Sequence, residues 1–176
     1  MEYLFYRKDS EDIDRVEPDL DDRYAFRLWH PAVSSIVPAG MPLMPFAAWW
    51  MMHYLHIFRN RDYGLLLVYC GDELVHRSGI FPGYFRFPFM SRDDLQIGDT
   101  WTHPAHVRRG LASFALRRIL LSKARAGRTF WYVVRRGNAS SIRVVEKAGF
   151  VKAGEGLRVK RLGLRILGSF RIVETG

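Results

Sequence analysis

A chain of 176 residues is long enough to bury one sizeable core and short for two. With 48% hydrophobic and 26% charged residues its composition excludes intrinsic disorder, and a single cysteine, Cys70, excludes an internal disulfide. The net charge of +9 is lopsided: residues 1–100 hold 10 Lys and Arg against 15 Asp and Glu, whereas residues 101–176 hold 17 against 3. The second part therefore carries a field that attracts the phosphates of a cofactor, a nucleic acid or an anionic membrane.

In chain order, YLFYR at 3–7 reads as a first strand, followed by an acidic connection, EDIDRVEPDLDDR, with a short helical piece. From Leu28 to Phe58 there is no Asp, Glu, Lys or Arg, and four prolines break the first half of that stretch. Only FAAWWMMHYLHIF, 46–58, is free to form a helix, and its rise of about 20 Å falls short of the roughly 30 Å core of a bilayer. LLLVYC (65–70) and ELVHRSGI (73–80) flank Gly71-Asp72 as a hairpin would. LQIGDTWT (95–102) is the next strand, 110–126 has helical spacing, and TFWYVV (129–134) is a strand. A helix at 139–148 ends at Gly149, and the rest alternates as a closing hairpin.

The order is that of an α/β or α+β sheet with helices packed on it, in a single domain spanning 1–176. No signal-peptide pattern opens the sequence and no Cys/His spacing suits zinc, so a cytoplasmic protein without a metal is expected. Cys70, at a strand end, reads as a small hydrophobe.

Two segments carry chemistry. Val107-Arg108-Arg109-Gly110-Leu111-Ala112 lies between a strand and a helix, where backbone amides and Gly110 allow close approach of an anion. NASSIRVVEKAGF, 138–150, follows the next strand. Together they resemble the acyl-CoA loop, Q/R-x-x-G-x-G/A, and the downstream Asn-to-Gly-Phe segment of the GNAT superfamily of N-acetyltransferases. Val107 departs from the loop pattern, which usually begins with Gln or Arg.

The resemblance implies a mixed, mostly antiparallel sheet with helices on both faces and a splayed strand pair, 95–102 and 129–134, for acyl-CoA. It implies transfer of an acetyl or short acyl group from acetyl-CoA to a primary amine of a small molecule, with a nucleotide-linked amino sugar as one acceptor class. The diphosphate would meet Val107, Arg108, Arg109, Gly110, Leu111 and Ala112, and the pantetheine arm would meet Trp101, Thr102, His103 and Asn138. Asn138 reads equally well as a helix N-cap. Asp99, His76 and His103 are the candidate bases. Val145 stands where many relatives carry the acidic Tyr, so Ser141 or Tyr132 is left to protonate the thiolate, unless it leaves unaided.

Aromatic, His and Met residues at 49–56, with the aromatic residues at 81–89, fit either an acceptor pocket or core packing of a buried helix. A second reading is a non-catalytic module of this fold that binds an anionic surface through LRVKRLGLRILGSFRIV. That tail has no nucleic-acid reading motif, while peripheral membrane contact and pairing of two copies stay open.

Overall fold

The computed structural model describes residues 2–32, 36–38, 41, 43–83, 86–161 and 164–173. One eight-stranded sheet runs through them in the order β2-β3-β4-β5-β6-β1-β7-β8. Its strands are β1 (Tyr3–Asp9), β2 (Tyr24–Trp29), β3 (Gly64–Cys70), β4 (Glu73–Pro82), β5 (Leu95–Thr102), β6 (Thr129–Arg135), β7 (Val151–Arg161) and β8 (Leu164–Val173). Three helices accompany them, α1 (Leu43–Tyr54), α2 (Leu111–Lys123) and α3 (Ala139–Lys147). All neighbouring strands pair antiparallel except β5 and β6.

Strand β1 inserts between β6 and β7, antiparallel to both. Its run of four buried residues, Tyr3 to Tyr6, explains the place: a strand apolar on both faces loses least in the middle of a covered sheet. Leu4 and Tyr6 face α2 and α3, while Phe5 packs on the other face against Phe89 and Phe170.

Strand β2 follows directly on the acidic connection, over residues to which the sequence pattern assigns no element. Tyr24, Phe26 and Leu28 alternate toward the α2 side of the sheet, and the strand pairs with β3 from Tyr24↔Cys70 to Trp29↔Leu65. Helix α1 also differs from the expected 46–58. It begins three residues earlier because Pro45 falls in its first turn, where a missing N–H costs nothing, and it closes before His56, which takes a left-handed φ of 55°. Tyr84 and Phe85, two of the aromatics expected near the acceptor, lie outside the described residues.

The helices divide between the faces. Helix α2 covers Leu66, Val68, Ile80, Leu95 and Ile97, with Phe130 and Val134 in the same cluster. Helix α1 covers Trp29, Leu65, Leu67 and Tyr69 from the opposite side through Phe46 and Trp49. Phe87 and Phe89 serve the core on this second face, Phe87 stacked on Phe170 and Phe89 edge-on to Phe5 and Trp131.

The lower end of the β5/β6 pair is held by polar groups. Arg128 is 1% exposed; it donates through Nε to Asp93 O (2.8 Å), through Nη1 to Lys123 O (2.6 Å) and through Nη2 to Asp62 Oδ2 (2.6 Å). Beside it the Asp94 carboxylate accepts from Trp131 Nε1 (2.9 Å), Thr129 N (3.2 Å) and Ser91 N (2.8 Å). Burial pushes the Asp62 carboxyl up, but the Arg128 hydrogen bond and the charges of Arg128, Arg125 and Lys123 outweigh it and hold the group below its ordinary 3.8.

The Asp62 contribution is fully present well above the ordinary carboxylate value of 3.8 and is lost as pH falls through the lowered folded value. Replacing Arg128 with Ala leaves two carbonyls without their donor and Asp62 with only Arg125, 3.2 Å away, among the described residues. Urea unfolding at pH 7 is expected to show a loss of about 3–5 kcal/mol, and a loss below 1 kcal/mol would mean that the cluster does not hold the strands.

Candidate functional site

Strands β5 and β6 pair only from Leu95↔Phe130 to Ile97↔Tyr132. Beyond that point they separate, and a cavity of about 650 Å³ opens between them on the α2 side. The strand edges facing this gap carry no ladder bonds to each other.

A bulge shapes the β5 wall. Arg77 pairs with Trp101 and Gly79 with Gly98, so Ser78 alone stands opposite both Asp99 and Thr100. Asp99 absorbs the extra residue with φ 47°, a left-handed conformation that costs a side-chain-bearing residue roughly 1–3 kcal/mol. The bulge turns Thr100 and Thr102 toward the cavity and sends Asp99 and Trp101 to the opposite face. There Arg77 lies 3.6 Å from Asp99 and 5.9 Å from the centre of the Trp101 ring.

The upper wall is the 107–112 loop. Arg108 has φ 63° and Gly110 φ 79°, and Gly110 caps α2 with no side-chain hydrogen bond to its first turn. The first amides of α2 have no acceptor of their own within the helix. Val107, Arg108, Gly110, Leu111 and Ala112 line the cavity. Arg109 turns away to a second hollow of about 300 Å³ shared with Asp19, Asp21 and Arg117.

Helix α3 forms the far wall through Ser140, Ser141, Arg143, Val144 and Lys147. Asn138 also lines the cavity and caps the helix: its Oδ1 accepts from Ser141 N (3.2 Å) and Ser140 Oγ (2.9 Å). With Arg108, Arg143 and Lys147 on the lining and no carboxylate among the described lining residues, the cavity is cationic. Arg143 escaped the sequence reading and Lys147 entered it only as part of the 138–150 pattern, although their spacing of four puts both on one helix face.

His76 is fully buried beneath this wall. Its Nδ1 lies 2.8 Å from Thr102 Oγ1 and its Nε2 3.0 Å from Ser78 Oγ. Ser78 Oγ lies 3.3 Å from Thr100 Oγ1, to which the Tyr132 hydroxyl donates at 3.4 Å. Four hydroxyls on the cavity wall are thus linked through one imidazole. Burial pushes the His76 pKa down to about 4, so the ring is neutral at pH 7 and both nitrogens are engaged. It is not free to accept a proton from an approaching amine.

His103, the third candidate base, caps a short turn at Pro104–His106 by accepting from Ala105 N (3.2 Å), and its Nε2 sits 3.7 Å from Glu73. It is not on the cavity lining, and neither are Trp101 and Asp99. Val145 is fully buried beneath α3. Among the described residues no cluster of three metal-ligating side chains occurs, and no helix is long and apolar enough to cross a membrane.

The His76 geometry has a pH signature. The folded value near 4 lies below the ordinary 6.5, so the unfolded chain binds the proton more readily between those values and stability falls as pH drops through that window. We expect His76→Gln to lack this component, worth about 3 kcal/mol. Urea unfolding of both proteins at pH 7 and 4.5 measures it. Equal pH dependence would contradict a buried, neutral ring.

The model of the acetyltransferase (GNAT) family matches residues 24–150. No curated protein sequence matches the chain. Among solved structures, a protein from Drosophila is similar over 86% of this chain and 47% of its own, with 18% identity and a TM-score of 0.58. A GNAT-family structure from Novosphingobium aromaticivorans is similar over 85% and 59%, with 16% identity and a TM-score of 0.53. The Salmonella typhimurium protein yncA, solved with its cofactor acetyl-CoA, is similar over 81% and 88%, with 17% identity and a TM-score of 0.55. The chain thus spans about half the length of the first two, and at these identities the likeness is one of fold.

Proposed function

The chain belongs to the GNAT acetyltransferase family, and from that premise we propose that it transfers an acetyl or short acyl group from acetyl-CoA to a primary amine of a small molecule. The observation that carries this reading is the cationic cavity where β5 leaves β6, with no carboxylate among its described lining residues and closed at one end by the first turn of α2, whose amides no capping side chain occupies. Its volume suits a slender arm, and its polar end suits a diphosphate.

The diphosphate sits on the amides of Arg108 to Ala112, with Gly110 giving the close approach and Arg108, Arg143 and Lys147 adding charge. Asn138 holds α3 in place and borders the arm. The arm runs between the parted strands toward Ile97 and Tyr132, which brings the thioester to the bulge. Trp101 and His103 contribute backbone at the β5 edge, and Thr102 contributes its hydroxyl.

An acceptor amine approaches from the opposite face. Its nitrogen bonds to the carbonyl carbon, the carbon–sulfur bond breaks, and the thiolate takes a proton as the product nitrogen gives one up. Asp99, exposed on that face beside Arg77, takes the nitrogen's proton. Tyr132, on the cavity wall and backed by the Thr100–Ser78–His76–Thr102 chain, gives a proton to sulfur. Ser141, at the start of α3, lies nearer the diphosphate end and serves binding. His76 acts through the hydroxyls it orients. Residues 1–176 work as one unit in this reading, because one sheet takes strands from both ends of the described chain.

Thiol release from acetyl-CoA over a panel of primary amines tests the activity, and no release with any amine would reject it. Asp99→Asn is expected to lower kcat/KM by about 10²-fold with acetyl-CoA binding unchanged. Gly110→Val forces a branched side chain into a left-handed conformation and is expected to weaken acetyl-CoA binding tenfold or more by calorimetry. Unchanged affinity would remove the loop from the diphosphate site.

A further inference from the structure

A third cavity, of about 630 Å³, lies on the sheet face opposite the cationic cleft and shares no lining residue with it. Trp49 of α1 and Phe81 of β4 pack against each other, ring centres 5.6 Å apart, and form one apolar wall that Ile57 continues. Its charges are of one sign: Arg59, Arg86 and Arg92 carry the only charges on the described lining, beside the neutral amide of Asn60. Arg59 and Arg92 have no ion-pair partner among the described residues. The segment bearing Arg59 is tied to the base of β5, since Asn60 Nδ2 donates to Asp93 O (3.2 Å) and Asp94 O (3.3 Å).

We infer that this cavity binds a small molecule with a flat apolar body and an anionic group, a phosphate or carboxylate held by the arginines. An apolar cavity with a few convergent polar groups is the usual form of such a site, and guanidinium is the group that matches phosphate and carboxylate geometry. A neutral or cationic ligand gains nothing from three positive charges on the wall.

The cavity also has a position. The Phe81 ring folds over Gly79, where an added Cβ would meet it at 2.7 Å, and Gly79 pairs with Gly98, the first residue of β5 beyond its ladder with β6. The cavity therefore ends one residue pair from the point where the cleft opens, on the far side of the sheet. Resting on the acyl-transfer reading, the ligand is the acceptor: its anionic end is held by the arginines and its amine reaches toward the bulge.

The probe is tyramine phosphate, which combines a ring, a phosphate and a primary amine, with tyramine as its neutral-ring counterpart. Titration into protein already saturated with CoA confines phosphate binding to sites other than the loop at 107–112. The expected result is one saturable site for tyramine phosphate with Kd below about 1 mM. Tyramine, and tyramine phosphate on the Arg59→Ala/Arg92→Ala protein, should each bind at least tenfold more weakly. Both arginines are exposed, so the double variant is expected to unfold at the wild-type urea concentration.

No saturable binding, equal binding of tyramine, or unchanged binding by the double variant would overturn the site. Mass spectrometry after addition of acetyl-CoA should detect the N-acetylated probe, and binding without acetylation would overturn the acceptor role. Failure of the acyl-CoA reading shows separately, as absence of any isotherm for CoA itself, and leaves the arginine dependence in the free protein to be measured.

Discussion

The parallel pairing of β5 with β6 is short, and everything around the cleft follows from where it is held and where it ends. Below, Arg128 and Asp94 fasten the two strands, the β4–β5 connection and the segment before β3 with buried hydrogen bonds that are costly to break. Above Ile97 and Tyr132 nothing pairs the strands, and the gap is kept open by bulk on both sides, Leu111 and Leu116 of α2 on one wall and Val144 of α3 on another. A sheet pinned at one end and parted at the other presents unpaired backbone and a pocket at the same place. Two left-handed non-glycine residues, Asp99 and Arg108, border that gap, which is where strain is tolerated when the surroundings over-determine it.

The bulge at Asp99 gives the site its two sides. Without it, Thr100 would lie on the same face as Trp101's neighbour across the strand, and the hydroxyls of Ser78, Thr100 and Thr102 would not share one wall. With it, the α2 face holds hydroxyls, amides and positive charge, while the other face holds Arg77, Asp99 and Trp101 and, further down, the arginine-rimmed cavity. His76 is central to the first of these faces. A neutral imidazole with partners on both nitrogens fixes the hydroxyls it touches, so its burial is a structural demand with a chemical use.

Much of this was legible in local pattern. The loop at 107–112 and the segment 138–150 fall between the expected strand and helix, and Asn138 does cap α3. What was not legible depends on pairing between distant segments. The four apolar residues of β1 mark a covered strand, but nothing in YLFY says that its neighbours are β6 and β7. Tyr24, Phe26 and Leu28 alternate as a strand should, yet the run is short and follows the acidic connection directly, and the sequence pattern assigns it no element. His76 occupies a position on the α2 face where period two expects an apolar residue, and its neutrality comes from Thr102 and Ser78, which only the bulged register brings to its nitrogens. Trp101 shows the same limit: adjacent to Thr102 in sequence, it points to the other face.

The central claim is that the amides of Arg108 to Ala112 and the parted edges of β5 and β6 receive acetyl-CoA. Backbone amide shifts in a ¹H–¹⁵N spectrum titrated with acetyl-CoA measure this directly. The account predicts saturable shifts concentrated at 108–113, at 98–102 and at 132–134, with the α1 face little changed. Shifts absent from 108–112, or spread over the basic surface of β7 and β8 without saturation, would contradict it.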